Sequence, residues 1–223
     1  MMRNILILFV TLLNFWIWKI LQQNIAVAAI LVALTFILFR LITEKEVKKW
    51  IVFLVFILFS LTSFIMIKSD FDKGFFSLTS EDRIKLNERH FYYANELGKL
   101  FLNNKVLNYY KNYSTPVYRF ERNLFSNLDF NLYFFASHPR ERAGVNEFEK
   151  YSPIFIPFFA VGLLLMIYWC SVWAAIYTVA AALVSAFVSS SYSLGPILFF
   201  PLINICIVLG LINTLNFVKN RKK

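Results

Sequence analysis

Residues 153–218 read PIFIPFFAVGLLLMIYWCSVWAAIYTVAAALVSAFVSSSYSLGPILFFPLINICIVLGLINTLNFV and contain no aspartate, glutamate, lysine or arginine. A membrane-spanning α-helix needs about 20 mainly apolar residues, and about 17 to 25 are tolerated. An uncharged run of this length is too long for two spans and suits three. We therefore expect three transmembrane helices in the last third of the chain.

Three local signals divide this apolar run into helices. Ser152 can cap a helix and Pro153 suits its first turn, so the run should open with a helix start. The sequence SLGP at 193–196 marks a second boundary, because glycine and proline both interrupt helices. The third boundary is expected near YWCSV, at 168–172, where the sequence has no helix breaker.

The N-terminal part of the chain repeats the same pattern. Apolar runs at 5–21, 25–42 and 50–67 predict three more spans, joined by QQN at 22–24 and TEKEVKK at 43–49. Overall, 59% of the residues are hydrophobic and 16% are charged, and the mean hydropathy is +0.60. Water-soluble domains carry about 25% charged residues, so this composition is that of an integral membrane protein.

The basic residues predict which ends of the spans face the cytoplasm. With six spans, the N-terminus, the 43–49 connection and the C-terminal tail at 219–223 lie on one side. That side gathers a strong excess of basic over acidic residues, whereas residues 68–152 on the other side are nearly balanced. The basic residues are Arg3, Arg40, Lys45, Lys48, Lys49, Lys219, Arg221, Lys222 and Lys223, against Glu44 and Glu46. Positive residues favour the cytoplasmic side, so we expect both termini in the cytoplasm and residues 68–152 outside the plasma membrane.

The net charge of +10 is thus mostly a topology signal and does not indicate nucleic-acid binding. A cleaved signal peptide is the competing interpretation of the N-terminus, because small residues occur at 26–28 after the first apolar run. Cleavage there would leave half of the second span, so we interpret the first helix as retained. The domain organisation is then a membrane domain at 1–67, an extracytoplasmic domain at 68–152, a membrane domain at 153–218 and a basic tail.

Residues 68–152 are expected to be mainly helical. SLTSEDR at 77–83 combines capping hydroxyls with acidic residues, which suit a first helical turn. After it, one helical face carries Leu86, His90, Tyr93, Leu97 and Leu100. The structural interpretation of His90 is a packed side chain with a hydrogen-bond partner, and the functional one is proton transfer. The two interpretations stay open at this point.

Two further segments of this domain have recognisable patterns. STP at 114–116 can begin a helix whose apolar face carries Val117, Phe120, Leu124 and Leu128. LDFNLYFF at 128–135 alternates apolar and polar residues, which predicts either a short strand or a segment lying on the lipid headgroups.

The stretch NLYFFASHPRERAG, at 131–144, contains the candidate binding site. His138, Arg140 and Arg142 could bind a phosphate or a lipid headgroup, since guanidinium groups bind phosphate oxygens in pairs. His138, like His90, is a candidate for proton transfer. The structural alternative pairs the two arginines with neighbouring glutamates (Glu141, Glu147 and Glu149) or with headgroups. In that alternative Phe134, Phe135 and Tyr151 form an aromatic belt at the membrane surface.

The fifth predicted span carries a ladder of small residues. Its members, four residues apart, are Ala174, Thr178, Ala182, Ala186 and Ser190. Small side chains allow close helix packing in lipid, so the ladder predicts a central helix that faces this chain or a second copy. Four polar residues of the spans are expected to form interhelical hydrogen bonds: Asn14, Thr62, Ser63 and Asn204. None can ionise, which disfavours a pump or secondary transporter.

These patterns predict an all-α integral membrane protein with about six transmembrane helices, three plus three, around an extracytoplasmic helical domain. Cys170 and Cys206 lie in predicted spans, so we expect neither a disulfide framework nor a cysteine metal site outside, and no cofactor. The leading functional interpretation is a scaffold or complex subunit that binds an envelope protein, or a second copy, through its extracytoplasmic domain. The alternative is a membrane-bound enzyme or binding protein acting on a lipid-linked phosphate at the outer leaflet.

Overall fold

The structure is a computed structural model that describes residues 2–44, 46–70, 75–98, 104–135, 149–169, 171–188 and 195–221. These parts of the chain are almost entirely helical. The helices are α1 (Met2–Leu13), α2 (Phe15–Gln23), α3 (Ile25–Thr43), α4 (Lys49–Asp70), α5 (Ser80–Leu97), α6 (Asn104–Asn112), α7 (Ser114–Leu128), α8 (Asn131–Phe134), α9 (Ile156–Tyr168), α10 (Val172–Ser185) and α11 (Phe200–Arg221). Short 3-10 turns, Pro153–Phe155 and Ile197–Phe199, precede α9 and α11. Of the two alternatives for residues 128–135, the strand is wrong, because residues 131–134 form the short helix α8.

Within the described part of the chain, three helices are long and apolar enough to cross a membrane, namely Ile25–Thr43, Lys49–Lys68 and Ile197–Asn220. Two bent helix pairs pass the same test when their members are taken together. The pair α1 and α2 is bent by 71°, and the pair α9 and α10 by 118°. Length and composition therefore support three crossings, or up to five if each bent pair is one crossing, where the sequence predicts six.

The first predicted span, 5–21, is not one helix, because the chain breaks at Asn14. The backbone of Asn14 is extended, and its side-chain oxygen caps α2 by accepting a hydrogen bond from the amide of Ile17 at 2.8 Å. The amide nitrogen of the same side chain donates to Val10 O and to Asn204 Oδ1 on α11, at 3.3 and 3.4 Å. A single buried asparagine thus ends one helix, begins the next and contacts a third.

The break between α9 and α10 lies within the predicted boundary at 168–172. Ser171 supplies the cap of α10 by accepting a hydrogen bond from the amide of Ala174. At the other end of α9, Pro153 stands in the first turn as predicted, but the Ser152 side chain makes no capping hydrogen bond. The helix start is therefore determined by the proline and not by a serine cap.

Helix α11 is the most buried of the three long apolar helices, and every described residue from 195 to 210 is buried. It packs against α9 with almost no space between the backbones. A Cβ atom added at Gly162 would lie 1.8 Å from the carbonyl oxygen of Cys206, and one added at Gly210 would lie 1.9 Å from that of Phe158. Glycine at both positions lets the two helices approach to backbone contact.

The helix with the small-residue ladder, α10, packs against α7, α3 and the turn that precedes α11. Ala174, Ala182 and Ala186 of the ladder are buried and Thr178 is half-buried, while Ser190 lies outside the described residues. The ladder therefore packs within this chain, partly against α7 of the loop domain, the name we give to α5 to α8. The long buried helix at the centre of the bundle is α11.

Two polar residues of α4 donate hydrogen bonds within their own helix. Thr62 donates to the carbonyl of Leu58 and Ser63 to that of Phe59, each one turn back on the same helix. Hydroxyl groups in apolar surroundings commonly satisfy themselves in this way. These two hydroxyl groups donate within α4 and not to another helix, whereas the predicted interhelical hydrogen bond is confirmed for Asn14 and Asn204, which bond to each other.

Helices α5 to α8 form the part of the chain between α4 and α9. The predicted cap of α5 is confirmed, because Thr79 and Asp82 exchange hydrogen bonds in a capping box. In α7 the predicted apolar face is only partly used, since Val117 and Leu128 are exposed. The buried side chains of α7 are instead those of Asn123 and Asn127.

These two asparagines join α7 to the end of α10. Asn123 donates to the carbonyl of Ala186 at 3.2 Å, and Asn127 donates to the carbonyl of Ser185 at 2.8 Å. The last carbonyl groups of a helix have no partner within it, and both donors reach carbonyls at this end. Amide side chains on the buried face of α7 are therefore explained by hydrogen bonding and not by apolar packing.

Candidate functional site

The candidate phosphate-binding residues His138, Arg140 and Arg142 lie outside the described residues. The residues on either side of this segment are described, and they are tied together. The amide of Tyr151 donates to the carbonyl of Tyr133 at 2.9 Å. The described residues on the two sides of positions 136–148 thus meet at one point of the helical core.

That point is a cluster of aromatic side chains around Trp16. Tyr133, Tyr151 and Phe200 have ring centroids 5.7 to 6.2 Å from the Trp16 ring. Phe134 packs 5.8 Å from Tyr151. The aromatic-belt interpretation is therefore wrong for Phe134 and Tyr151, which are core residues at 2% and 0% exposure, although Phe135 is exposed.

The same cluster holds a buried lysine. Lys150 is 6% exposed, and its ammonium donates to the carbonyl of Leu132 at 2.8 Å. The ammonium nitrogen lies 5.6 Å from the centroid of the Trp16 ring and 5.9 Å from that of Tyr133, distances suited to cation–π attraction. The backbone carbonyl of Lys150 also accepts the amide of Trp16 at 3.3 Å. This lysine connects α2 to the loop domain.

The two tyrosine hydroxyl groups of the cluster have structural roles. Tyr133 donates to the carbonyl of Asn127 at 2.6 Å, and Tyr151 to that of Phe200 at 3.4 Å. Burial raises the pKa of Tyr133 and of Tyr151 well above the ordinary value for tyrosine. Both hydroxyls are therefore neutral hydrogen-bond donors near pH 7 and are unsuited to act as bases.

His90 lies on α5 where that helix meets α6. Its ring is half-buried, with its centroid 6.3 Å from that of Tyr110 on α6. Tyr93, one turn further along α5, packs edge-on against the same tyrosine at 6.2 Å. His90 thus occupies a packing position, next to a cleft between the helices of the loop domain.

This cleft, which we call the basic cleft, has a volume of about 430 Å³ and lies between α5, α6 and α7. Its basic residues form two pairs, and the members of each pair are one helical turn apart. Lys85 and Arg89 lie on α5, and Arg119 and Arg122 lie on α7. The lining residues are Asp82, Lys85, Leu86, Arg89, Tyr93, Tyr110, Ser114, Thr115, Tyr118, Arg119 and Arg122. Four cationic side chains therefore face the cleft with one carboxylate.

The carboxylate is already engaged. Asp82 forms an ion pair with Arg119 at 2.7 Å, and hydrogen bonds with Thr79 lower the pKa of this carboxyl below its ordinary value. Arg119 also donates to the carbonyls of Phe75 and Ser77, at 3.0 and 2.9 Å. This arginine therefore holds the connection after α4 against α5 and α7.

The other three cations of the cleft are Lys85, Arg89 and Arg122. Among the residues that the structure describes, none of them has a carboxylate within ion-pair distance. Unbalanced cations in a shared concave space attract anions and repel one another. The arrangement is therefore suited to holding a negatively charged group.

Hydroxyl groups complete the cleft wall. Tyr110 donates to the carbonyl of Leu86 at 3.2 Å, which joins α6 to α5. Burial raises the pKa of this tyrosine, so its hydroxyl stays protonated near pH 7. Thr115 and Tyr118 place two further hydroxyl groups at the cleft. Cations together with neutral hydroxyl donors form the usual surroundings of bound phosphate and sulfate groups.

The basic cleft was not predicted from the sequence, although the spacing of its basic residues is visible there. Lys85 and Arg89 are four residues apart, and Arg119 and Arg122 are three apart, so each pair shares a helix face. The contact between these two helix faces depends on the tertiary structure and cannot be inferred from the spacing. Among the described residues, no group of three His, Cys, Asp or Glu side chains is placed to hold a metal ion.

Comparisons with protein-family models, with curated proteins and with solved structures give no significant match for this chain.

Proposed function

We propose that this chain is a six-pass plasma-membrane protein with both termini in the cytoplasm and residues 68–152 outside. Contacts at the two ends of the helix bundle support this topology. Arg3 at the start of α1 lines a cavity of about 440 Å³ with Thr43 at the end of α3 and Trp169 after α9. Leu209 and Ile212, near the middle of α11, line the same cavity.

Contacts at the opposite end of the bundle also support six membrane crossings. The end of α10 contacts α7, and Trp16 contacts Phe200 at the start of α11. Helices α1, α3, α4, α9, α10 and α11 then each run between the two ends, so each member of the α9 and α10 pair crosses separately. The described part of α1 has 12 residues and α10 has 14, so the bundle would thin the surrounding bilayer locally.

Reporter fusions test this topology. A reporter fused after position 73 should read as outside, and one fused at position 223 should read as cytoplasmic, because α4 and α11 end on opposite sides in the six-pass arrangement. An enzyme reporter that is active only outside and a fluorescent reporter that folds only inside give complementary readings. A C-terminal reporter found outside would remove one crossing.

We further propose that the protein is a scaffold or complex subunit, which binds a membrane or envelope protein, or a second copy, through α5 to α7. Exposed aromatic side chains carry this proposal: Phe91 is 72% exposed and Phe125 is 70% exposed. Tyr92, Tyr109 and Tyr118 are also exposed on these helices. They alternate with charged residues, a mixture that is typical of protein interfaces and unlike a lipid-facing surface.

Photocrosslinking in native membranes tests the scaffold role. A photoreactive phenylalanine analogue in place of Tyr92 should give one discrete protein adduct, whereas the same analogue in place of exposed Glu46, at the other end of the bundle, should not. The double substitution Phe91→Ser and Tyr92→Ser should weaken association with that partner at least about tenfold, because interface aromatics carry much of the binding energy. Position 92 giving no protein adduct would contradict the proposal.

A second candidate function is action on a lipid-linked phosphate at the outer leaflet, with Arg140 and Arg142 holding phosphate and His138 or His90 moving a proton. The observation in its favour is that His90 lies beside the basic cleft. Substituting Arg140 and Arg142 together by glutamine separates the two functions. Loss of bound anionic lipid from the folded double variant would support this second function, and unchanged lipid binding would contradict it.

A further inference from the structure

We propose that the basic cleft between α5 and α7 is a binding site for an organic phosphate, held by Lys85, Arg89 and Arg122. None of its lining residues belongs to the stretch 131–144 that contains the candidate site of the sequence analysis. The proposal does not depend on the scaffold role, since it concerns binding by the isolated protein. It combines three observations, which concern charge, fixed geometry and the size of the cleft.

The charge of the cleft calls for an anion. Arg119 and Asp82 neutralise each other, which leaves Lys85, Arg89 and Arg122 as three cations around one concave space. Their mutual repulsion is relieved when an anion binds among them. Two of the three are arginines, whose planar guanidinium groups can each give a phosphate two parallel hydrogen bonds.

The walls of the cleft are held in place by contacts that leave these three cations available. Arg119 fixes α7 to the segment before α5 through the carbonyls of Phe75 and Ser77. The Tyr110 hydroxyl fixes α6 to α5 through the carbonyl of Leu86. A site whose walls are fixed in advance loses less entropy when its ligand binds.

The size and lining of the cleft point to a phosphate with an organic group attached. Its volume of about 430 Å³ is in the range of sites that enclose whole small molecules, and far exceeds what one phosphate fills. The rings of Tyr93, Tyr110 and Tyr118 line the rest of the space and suit the apolar or sugar part of such a molecule. A phospholipid headgroup and a soluble organic phosphate share this chemistry.

Binding is measured on the full-length protein purified into phosphatidylcholine nanodiscs. Sodium pyrophosphate is titrated by calorimetry, and a parallel sample in mixed nanodiscs measures enrichment of phosphatidylglycerol near the protein. Pyrophosphate binding identifies a soluble phosphate as the ligand class, and phosphatidylglycerol enrichment alone identifies a lipid headgroup. In either case Arg89→Gln with Arg122→Gln should weaken binding about tenfold, since each lost charge-assisted contact removes a large part of the affinity.

A matched control carries the same loss of charge outside the cleft. Arg83→Gln with Lys111→Gln removes two exposed cations from α5 and α6 and should change binding less than about twofold, because neither side chain lines the cleft and exposed charges are screened by salt. If the glutamine variant fails to fold, Arg89→Lys with Arg122→Lys decides, and about threefold weakening is expected from the lost guanidinium geometry. The proposal is overturned if neither probe binds the wild-type protein, if the control weakens binding as much as the cleft variant, or if the lysine variant binds unchanged.

Discussion

Gly210→Ala should unfold the helix bundle at a markedly lower temperature, and Gly162→Ala should do the same. A methyl group at either position would lie within 2 Å of a carbonyl oxygen on the facing helix, that of Phe158 or that of Cys206. Backbone atoms cannot move aside as a side chain can, so α9 and α11 would have to separate along their whole contact. We expect a cost of about 3 kcal/mol for each substitution, at the upper end of the range for overpacking. Thermal unfolding of the detergent-purified protein measures it.

The control adds bulk to the same helix on its exposed face. Ala160→Leu lengthens an exposed side chain of α9 and should change stability by less than about 0.5 kcal/mol, as is usual for surface positions. In the double variant, the loss of stability should be smaller than the sum of the two single losses, because both substitutions separate the same pair of helices. If both alanine variants unfolded like the wild-type protein, the backbone contact between α9 and α11 would be wrong.

Lys150→Ala should destabilise the junction between α2 and the loop domain by about 3 kcal/mol, the size expected when a large buried side chain is removed from a packed cluster. The substitution removes the hydrogen bond to the carbonyl of Leu132 and the attraction to the rings of Trp16 and Tyr133. It also leaves a cavity where the side chain packs near Gly195. The measurement is again thermal unfolding, read through tryptophan fluorescence because Trp16 is in the cluster.

Lys150→Met separates the role of the charge from that of packing. Methionine keeps most of the side-chain volume but donates no hydrogen bond, so this variant should lose about half as much stability as the alanine variant. Lys111→Met makes the same change on an exposed position of α6 and should have almost no effect. A methionine variant as stable as the wild-type protein would mean that the ammonium contributes nothing to the cluster.

The sequence predicted the membrane class and the helical architecture because both depend on local patterns. Uncharged runs predict apolar helices wherever they occur, and Thr79 and Asp82 cap α5 through atoms three residues apart. The division between α9 and α10 was also placed at 168–172, within which the first helix ends and the second begins. Each of these inferences needs only residues that are neighbours along the chain.

The remaining features depend on which helices meet, and a single sequence does not give this. In the sequence, Asn14 is simply a polar residue within an apolar run. In the structure it breaks the helix, and its side chain donates a hydrogen bond to Asn204 on α11. Lys150 reads as a charged residue before a span, and its burial depends on aromatic rings contributed by α2 and α8. The basic cleft likewise needs α5 and α7, whose basic residues are about thirty positions apart, to lie side by side.

The bonds from Asn123 and Asn127 to the end of α10 also bear on how the chain is assembled. A ribosome completes α7 well before it completes α10, so the two donors exist before the carbonyls of Ser185 and Ala186 are synthesised. Helix α10 can therefore complete these bonds only after its own last residues have been synthesised. The loop domain would then guide the docking of α10. Deleting it from the gene should therefore impair assembly more than cleaving it from the assembled protein.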